Sequence, residues 1–162
     1  MSQRERPVRN PFRLLLHIPV PWVFVLAYLV GVCLELPFRP NGGGHSSAIG
    51  KVGAGAFTVG AVIAGWSLVI FYKARTTTVP GRHSSELVER GPYRLTRNPM
   101  YVGLALAYLG EAGLLQQLWP VILLPLVLAY LNWIVVPVEE AKLRDDFGGR
   151  YESYRAKVRR WL

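Results

Sequence analysis

Residues 99–138 read PMYVGLALAYLGEAGLLQQLWPVILLPLVLAYLNWIVVPV, and Glu111 is the only charged side chain among them. At about 1.5 Å rise per helical residue the stretch is too long for one crossing of a hydrocarbon core about 30 Å thick, and it suits two. Its polar interruption, Gln116-Gln117-Leu118-Trp119-Pro120, is short enough only for a helical hairpin, so the stretch divides into spans 99–119 and 120–138. Outward from there, residues 18–38 carry one charge, Glu35, and residues 52–72 carry none. Four such helices make up about half of the 162 residues, more than a soluble domain of this size can hide. The expected fold is an all-α integral membrane protein, a single domain 1–162 with four transmembrane helices. The last two form a C-terminal helical hairpin, and a short cytoplasmic amphipathic helix follows.

Charge sets the orientation. All but Arg39 and Lys51 of the 19 Lys and Arg residues lie in residues 1–17, in 73–98 or in the tail from Lys142 onward. The positive-inside rule places those three segments, and both termini, on the cytoplasmic face of a multi-pass protein. The net charge of +9 then meets anionic lipid headgroups, and its division among three juxtamembrane segments excludes nucleic acid as the partner. The basic residues 1–17 lead into a span holding Pro19 and Pro21 without a convincing cleavage site, so a retained first helix is expected. A single cysteine, Cys33, excludes a disulfide framework, and His45 has no second ligand at metal-binding spacing, so no metal is expected.

Small residues four apart, Ala56, Gly60 and Ala64, a second row of Ala61 and Gly65, and Gly103 with Ala107 in the third span, are expected to let helices approach closely. Glu35 and Glu111 are ionisable groups at membrane depth. Both are expected as protonated carboxyls bonded within the bundle, and neither is assigned to catalysis.

The hairpin returns the chain to the face it left, so residues 73–98 and 139–162 can meet there. The first block carries Gly91-Pro92, a turn, and Asn98-Pro99, an expected helix start with Asn as N-cap and Pro at the first helical position. The free N–H groups of that first turn suit a carboxylate or phosphate, and Arg94 and Arg97 could add charge-assisted bonds. In the second block Glu139-Glu140 ends an apolar span where Lys or Arg is usual. Neighbouring helical positions point about 100° apart, so one of the two is expected to face the bundle, to bind an ammonium group or ribose hydroxyls or to pair with Arg94 or Arg97. Phe147-Gly148 ends that helix, and Tyr151 and Tyr154 supply an aromatic face for a short final helix.

Taken together, residues 52–162 resemble the isoprenylcysteine carboxyl methyltransferase family, in its small bacterial form, and its phospholipid methyltransferase relatives. The resemblance rests on Leu87-Val88 before Gly91-Pro92-Tyr93, on Arg97-Asn98-Pro99-Met100-Tyr101 followed by Gly103, and on Glu139-Glu140 before Phe147-Gly148, Tyr151 and Tyr154. Thr76-Thr77-Thr78-Val79-Pro80 is similar to a threonine-and-proline segment of the small bacterial members. It implies an S-adenosyl-L-methionine-dependent methyltransferase acting on a lipid or lipophilic acceptor at the cytoplasmic face. Cofactor-binding positions implied by it are Thr78, Ser85, Glu86, Leu87, Val88, Tyr93, Asn98, Pro99, Met100, Tyr101 and Glu139. The sequence departs from the eukaryotic prenyl-protein enzymes at Asn98, where they carry histidine, and at Val135, where they carry arginine. Both departures count against prenylcysteine as the substrate, and Asn98-Pro99-Met100-Tyr101 is more similar to the phospholipid branch, with ethanolamine N-methylation as the alternative chemistry.

Arg97 is expected to orient the acceptor or the cofactor carboxylate, and Glu140 to serve as base for an amine acceptor. A carboxylate acceptor would need no base. Two rivals are an NADPH-dependent enzyme similar to sterol reductases, which are longer, and a non-enzymatic small membrane subunit, which leaves the paired glutamates without a purpose. The acceptor and the oligomeric state are not legible in the sequence.

Overall fold

Glycine and proline decide how the helices of this chain lie against one another. The structure, a computed structural model, describes residues 19–38, 47–73 and 86–162, and every regular element among them is helical. Thr78, Ser85 and His45 lie outside the described residues. Helix α1 (Val20–Glu35) starts behind Pro19 and ends in a 3-10 turn, Leu36–Phe38. Helix α2 covers Ser47–Lys73, and a 3-10 turn at Gly91–Arg94 precedes α3 (Pro99–Leu115). Helix α4 (Leu118–Tyr130) continues through a π-helical turn, Leu131–Val135, into α5 (Val136–Phe147), and α6 (Gly149–Lys157) closes the series.

The hairpin divides as its sequence suggests, but its second helix does not stop at Val138. It runs unbroken from Leu118 to Phe147 and carries Glu139 and Glu140 inside it. The π turn has a local cause. Pro137 offers no N–H to the carbonyl of Trp133 and its ring crowds that carbonyl, and the extra residue of a π turn relieves both faults.

Among the described residues two helices are long and apolar enough to cross a membrane, Ala48–Lys73 and Leu118–Phe147. Helices α1 and α3, at 16 and 17 residues, are shorter than the spans 18–38 and 99–119 read from the sequence. Large apolar side chains cover the outside: Val52 is 74% exposed, Leu126 67% and Trp133 73%. In water each such surface would cost about 25 cal/mol per Å², whereas hydrocarbon accepts it freely.

Helices α2 and α3 run antiparallel with backbones in contact. A Cβ added at Gly60 would lie 2.6 Å from the Gly103 carbonyl oxygen, and one at Gly103 would lie 2.8 Å from that of Gly60. The same holds for Gly110, 2.6 Å from the Phe57 Cα, and for Gly53, 2.7 Å from the Gly110 oxygen. The row expected from Gly60, Ala64, Gly103 and Ala107 is therefore the seam, extended by Gly53 and Gly110. The second row does not pack: Ala61 is exposed, and a Cβ at Gly65 would meet nothing within 4 Å.

Helix α1 lies against α4, and a Cβ added at Gly31 would come 2.8 Å from the Pro120 Cα. Its last residue does a particular job. Glu35 Oε2 accepts the backbone N–H groups of Leu118 (3.0 Å) and Trp119 (2.9 Å), the orphan donors that begin α4. Glu35 is thus bonded within the bundle as expected, as an acceptor for the free N–H groups of a helix N-terminus. Tyr28 donates to Gln117 Oε1 (2.7 Å), and Gln116 takes a left-handed conformation (φ 52°), which together fix the hairpin turn. Glu35→Ala is expected to cost about 1 kcal/mol in a detergent unfolding titration, and Glu35→Gln, which keeps an oxygen acceptor, to cost less.

Candidate active site

The segment before α3 is bent into place by Gly91. It sits at φ +61°, and a Cβ there would come 2.6 Å from Ile70 Cδ1. The turn drives Tyr93 into a buried cluster with Ile70, Val88 and Phe71, its ring 5.3 Å from that of Phe71. Tyr154 of α6 donates to the Tyr93 carbonyl (2.7 Å) and packs with Tyr151 on Leu87, Leu143, Phe147 and Val158. The aromatic pair of the final helix therefore faces inward. Burial pushes the phenols of Tyr93, Tyr151 and Tyr154 up, so all three remain neutral.

Helix α3 begins at Pro99, as Asn98-Pro99 suggests, but Asn98 does not cap it. The Asn98 side chain makes no bond to the first turn; its amide donates instead to the Arg160 carbonyl (3.0 Å). The donors at the start of α3 are left without a side-chain cap, an arrangement suited to an incoming anion.

Two contacts join α3 and its leading segment to α5. Tyr101, 4% exposed, donates to Glu139 Oε1 (2.6 Å). Arg97 meets Glu140 Oε1 (2.9 Å) through the same Nη1 that donates to Tyr151 Oη (3.0 Å). Glu140 also receives Arg160, whose Nε and Nη2 reach its two oxygens at 2.9 and 2.6 Å. That pairing holds the Arg160 guanidinium above its ordinary pKa. Both glutamates are engaged, where one was expected: the 100° between them lets Glu139 reach a tyrosine of α3 and Glu140 the arginine ahead of it. The guanidinium groups occupy both oxygens of Glu140, which suits a residue that holds Arg97 better than the general base expected of it. Arg97 Nε is buried without a partner. An unspent buried donor beside an uncapped helix start, with a carboxylate on the far side of Tyr101, fits a zwitterionic ligand such as the amino-acid end of S-adenosyl-L-methionine.

The other implied positions fall into place unevenly. Pro99 is buried and Met100 half-buried against the main core, beside Tyr101. Leu87 lies under α6 and Val88 against α2, both in packing clusters, and Glu86 is exposed. Sequence reasoning missed Arg160, Thr96 and Trp161. Arg159 and Arg160 read as two more charges of a basic tail, and the available signal was the tryptophan directly after them. No group of three metal-ligating side chains occurs among the described residues.

No curated protein and no solved structure matches the chain. The sequence model of the phospholipid methyltransferase family matches residues 49–150, from the start of α2 through α5 and the residues on which both glutamate contacts are built. With well over half of its length matched, this chain belongs to the phospholipid methyltransferase family.

Proposed function

We propose that this protein is an S-adenosyl-L-methionine-dependent methyltransferase of four membrane spans, with both termini cytoplasmic, that methylates the amine headgroup of a phospholipid at the inner face. The observation that carries the reading is the pairing of the segment entering α3 with the helix leaving the hairpin, Tyr101 with Glu139 and Arg97 with Glu140. Family membership and Asn98 in place of histidine favour a phospholipid acceptor.

When bound, S-adenosyl-L-methionine supplies an electrophilic methyl group for in-line displacement. Glu139, with the Tyr101 and Tyr93 rings near it, offers a negative, aromatic corner for a cation. Arg97 Nε and the uncapped N–H groups of Met100 and Tyr101 take a carboxylate. Glu140 keeps Arg97 turned toward them, while the headgroup ammonium gives its proton to water at the cytoplasmic face, so that the free amine takes the methyl group and the donor sulfur leaves as a neutral thioether. A lipid enters sideways between helices whose outer surfaces are apolar, while the polar cofactor arrives from the cytoplasm.

A second reading has one observation in its favour. A carboxylate acceptor, such as a prenylcysteine, needs no base, and the oxygens of Glu140 are already occupied. Incubation of the protein in nanodiscs with methyl-labelled cofactor and either phosphatidylethanolamine or a prenylcysteine, with products read by mass spectrometry, separates the two. Labelled N-methyl lipid is expected; label on the prenyl carboxyl alone would replace the first reading by the second, and label on neither would remove both.

A further inference from the structure

The last residues of the chain leave α6 and double back across the end of the bundle that carries Glu139 and Glu140. Val158 departs in extended conformation, and each of the next three residues is held. The Arg159 carbonyl accepts the Arg97 N–H (2.9 Å). The Arg160 carbonyl accepts both Thr96 Oγ1 (2.9 Å) and Asn98 Nδ2 (3.0 Å). The Trp161 indole N–H donates to Asn132 Oδ1 (2.9 Å) on the π-helical turn, and its ring packs on the main core. These bonds fall on the segment entering α3 and on the π turn, while the Arg160 side chain takes Glu140 of α5.

The geometry at Glu140 gives this strap a role. Arg97 reaches one oxygen of the carboxylate with one nitrogen, a contact about which both groups can pivot. Arg160 grips both oxygens through Nε and Nη2, and a two-point fork fixes the plane of a carboxylate. The backbone of Arg160 is in turn clamped by Thr96 and Asn98, the neighbours of Arg97. The surface pairs at Glu152 of α6, with Arg144 of α5 and with Arg155, have no such frame and are widely exposed.

We infer that Arg160 is a positioning residue of the methyl-transfer site, fixing Glu140 and through it the pose of Arg97, with Trp161 pinning the strap. The inference rests on the methyltransferase reading of this site. Losing the fork leaves the Glu140 carboxylate free to turn, so Arg97 is misplaced for a displacement that depends on alignment.

The test uses the full chain in nanodiscs. With saturating cofactor and lipid, Arg160→Met is expected to lower kcat about 10- to 100-fold, with a smaller, severalfold rise in KM for the cofactor whose carboxylate Arg97 takes. Arg160→Lys, which restores the charge without the fork, is expected to recover part of the loss, and Arg155→Met to match the wild type. Wild-type kcat in Arg160→Met would overturn the inference, as would a loss confined to KM. A readout independent of turnover is the rate of phenylglyoxal modification at Arg97, followed by peptide mass spectrometry. It is expected to rise in Arg160→Met, and an unchanged rate contradicts the positioning role. A wild-type protein that transfers no methyl group, with Arg97 still shielded by Arg160, would sink the methyltransferase reading while leaving the strap as structure, and the inference would fall with that reading. Should Arg160→Met not fold, Trp161→Phe removes only the pin to Asn132; a severalfold fall in kcat is expected, and wild-type kcat there would overturn the account.

Discussion

Leucine in place of Gly110 is expected to separate α3 from α2 and leave little folded protein. The Cβ alone would meet the Phe57 Cα at 2.6 Å and the Ala56 carbonyl carbon at 2.8 Å, and these are backbone atoms that cannot rotate away. Overpacking a core typically costs about 1–3 kcal/mol, and a clash with backbone belongs at or above the top of that range. In hydrocarbon, close approach between helices is itself much of the attraction, so pushing them apart also forfeits the dispersion contacts along the seam. Gly65→Leu on the same α2 makes the control. Nothing lies within 4 Å of its Cβ, and its effect is expected within about 0.5 kcal/mol. Unfolding titrations in mixed micelles measure both variants, and equal stability of the two would refute the assigned seam.

Glu140→Ala is expected to have the second large effect, because it strands two cations at once. Arg97 has a side chain only 11% exposed, and Arg160 is held to the same carboxylate. Removing one member of a buried ion pair costs about 3–5 kcal/mol, chiefly the penalty of the charge left behind. The partly exposed Arg160 can turn to water, so the lower end of that range is expected, measured by the same titration. Replacing Glu140 and Arg97 together by methionine is expected to recover much of the stability and none of the activity. A Glu140→Ala protein as stable as the wild type would show that the trio is not buried as a unit.

The parts of this molecule legible in its sequence are those where a local rule meets no competitor. Runs without charge mark the helices, Gly91-Pro92 marks a turn, and Asn98-Pro99 marks a helix start because proline tolerates only the first turn. The small-residue spacing was legible as a device, but not its direction. Gly60 and Gly65 lie in rows of the same four-residue period, and only the partner helix tells which row is the seam. Asn98 was open to misreading for a similar reason: a side chain that caps in isolation finds a distant carbonyl, that of Arg160, more than 60 residues away. The same distance hid the strap. Arg160 becomes more than a surface charge only when the final helix turns its tyrosines inward and sends the chain back over Glu140. Glu139 and Glu140 were legible as unusual, since carboxylates at the end of an apolar helix need a reason, but their partners depended on how the hairpin closed.

The most direct test of the whole account is a calorimetric titration of S-adenosyl-L-methionine into the purified protein in nanodiscs, for the wild type and for Glu139→Ala. The wild type is expected to bind, and loss of a carboxylate facing the cation is expected to weaken binding about 10- to 100-fold, the worth of a charged hydrogen-bond partner. No binding by the wild type, or equal affinity in the two proteins, would contradict the claim that the start of α3 and the glutamates of α5 together hold the methyl donor.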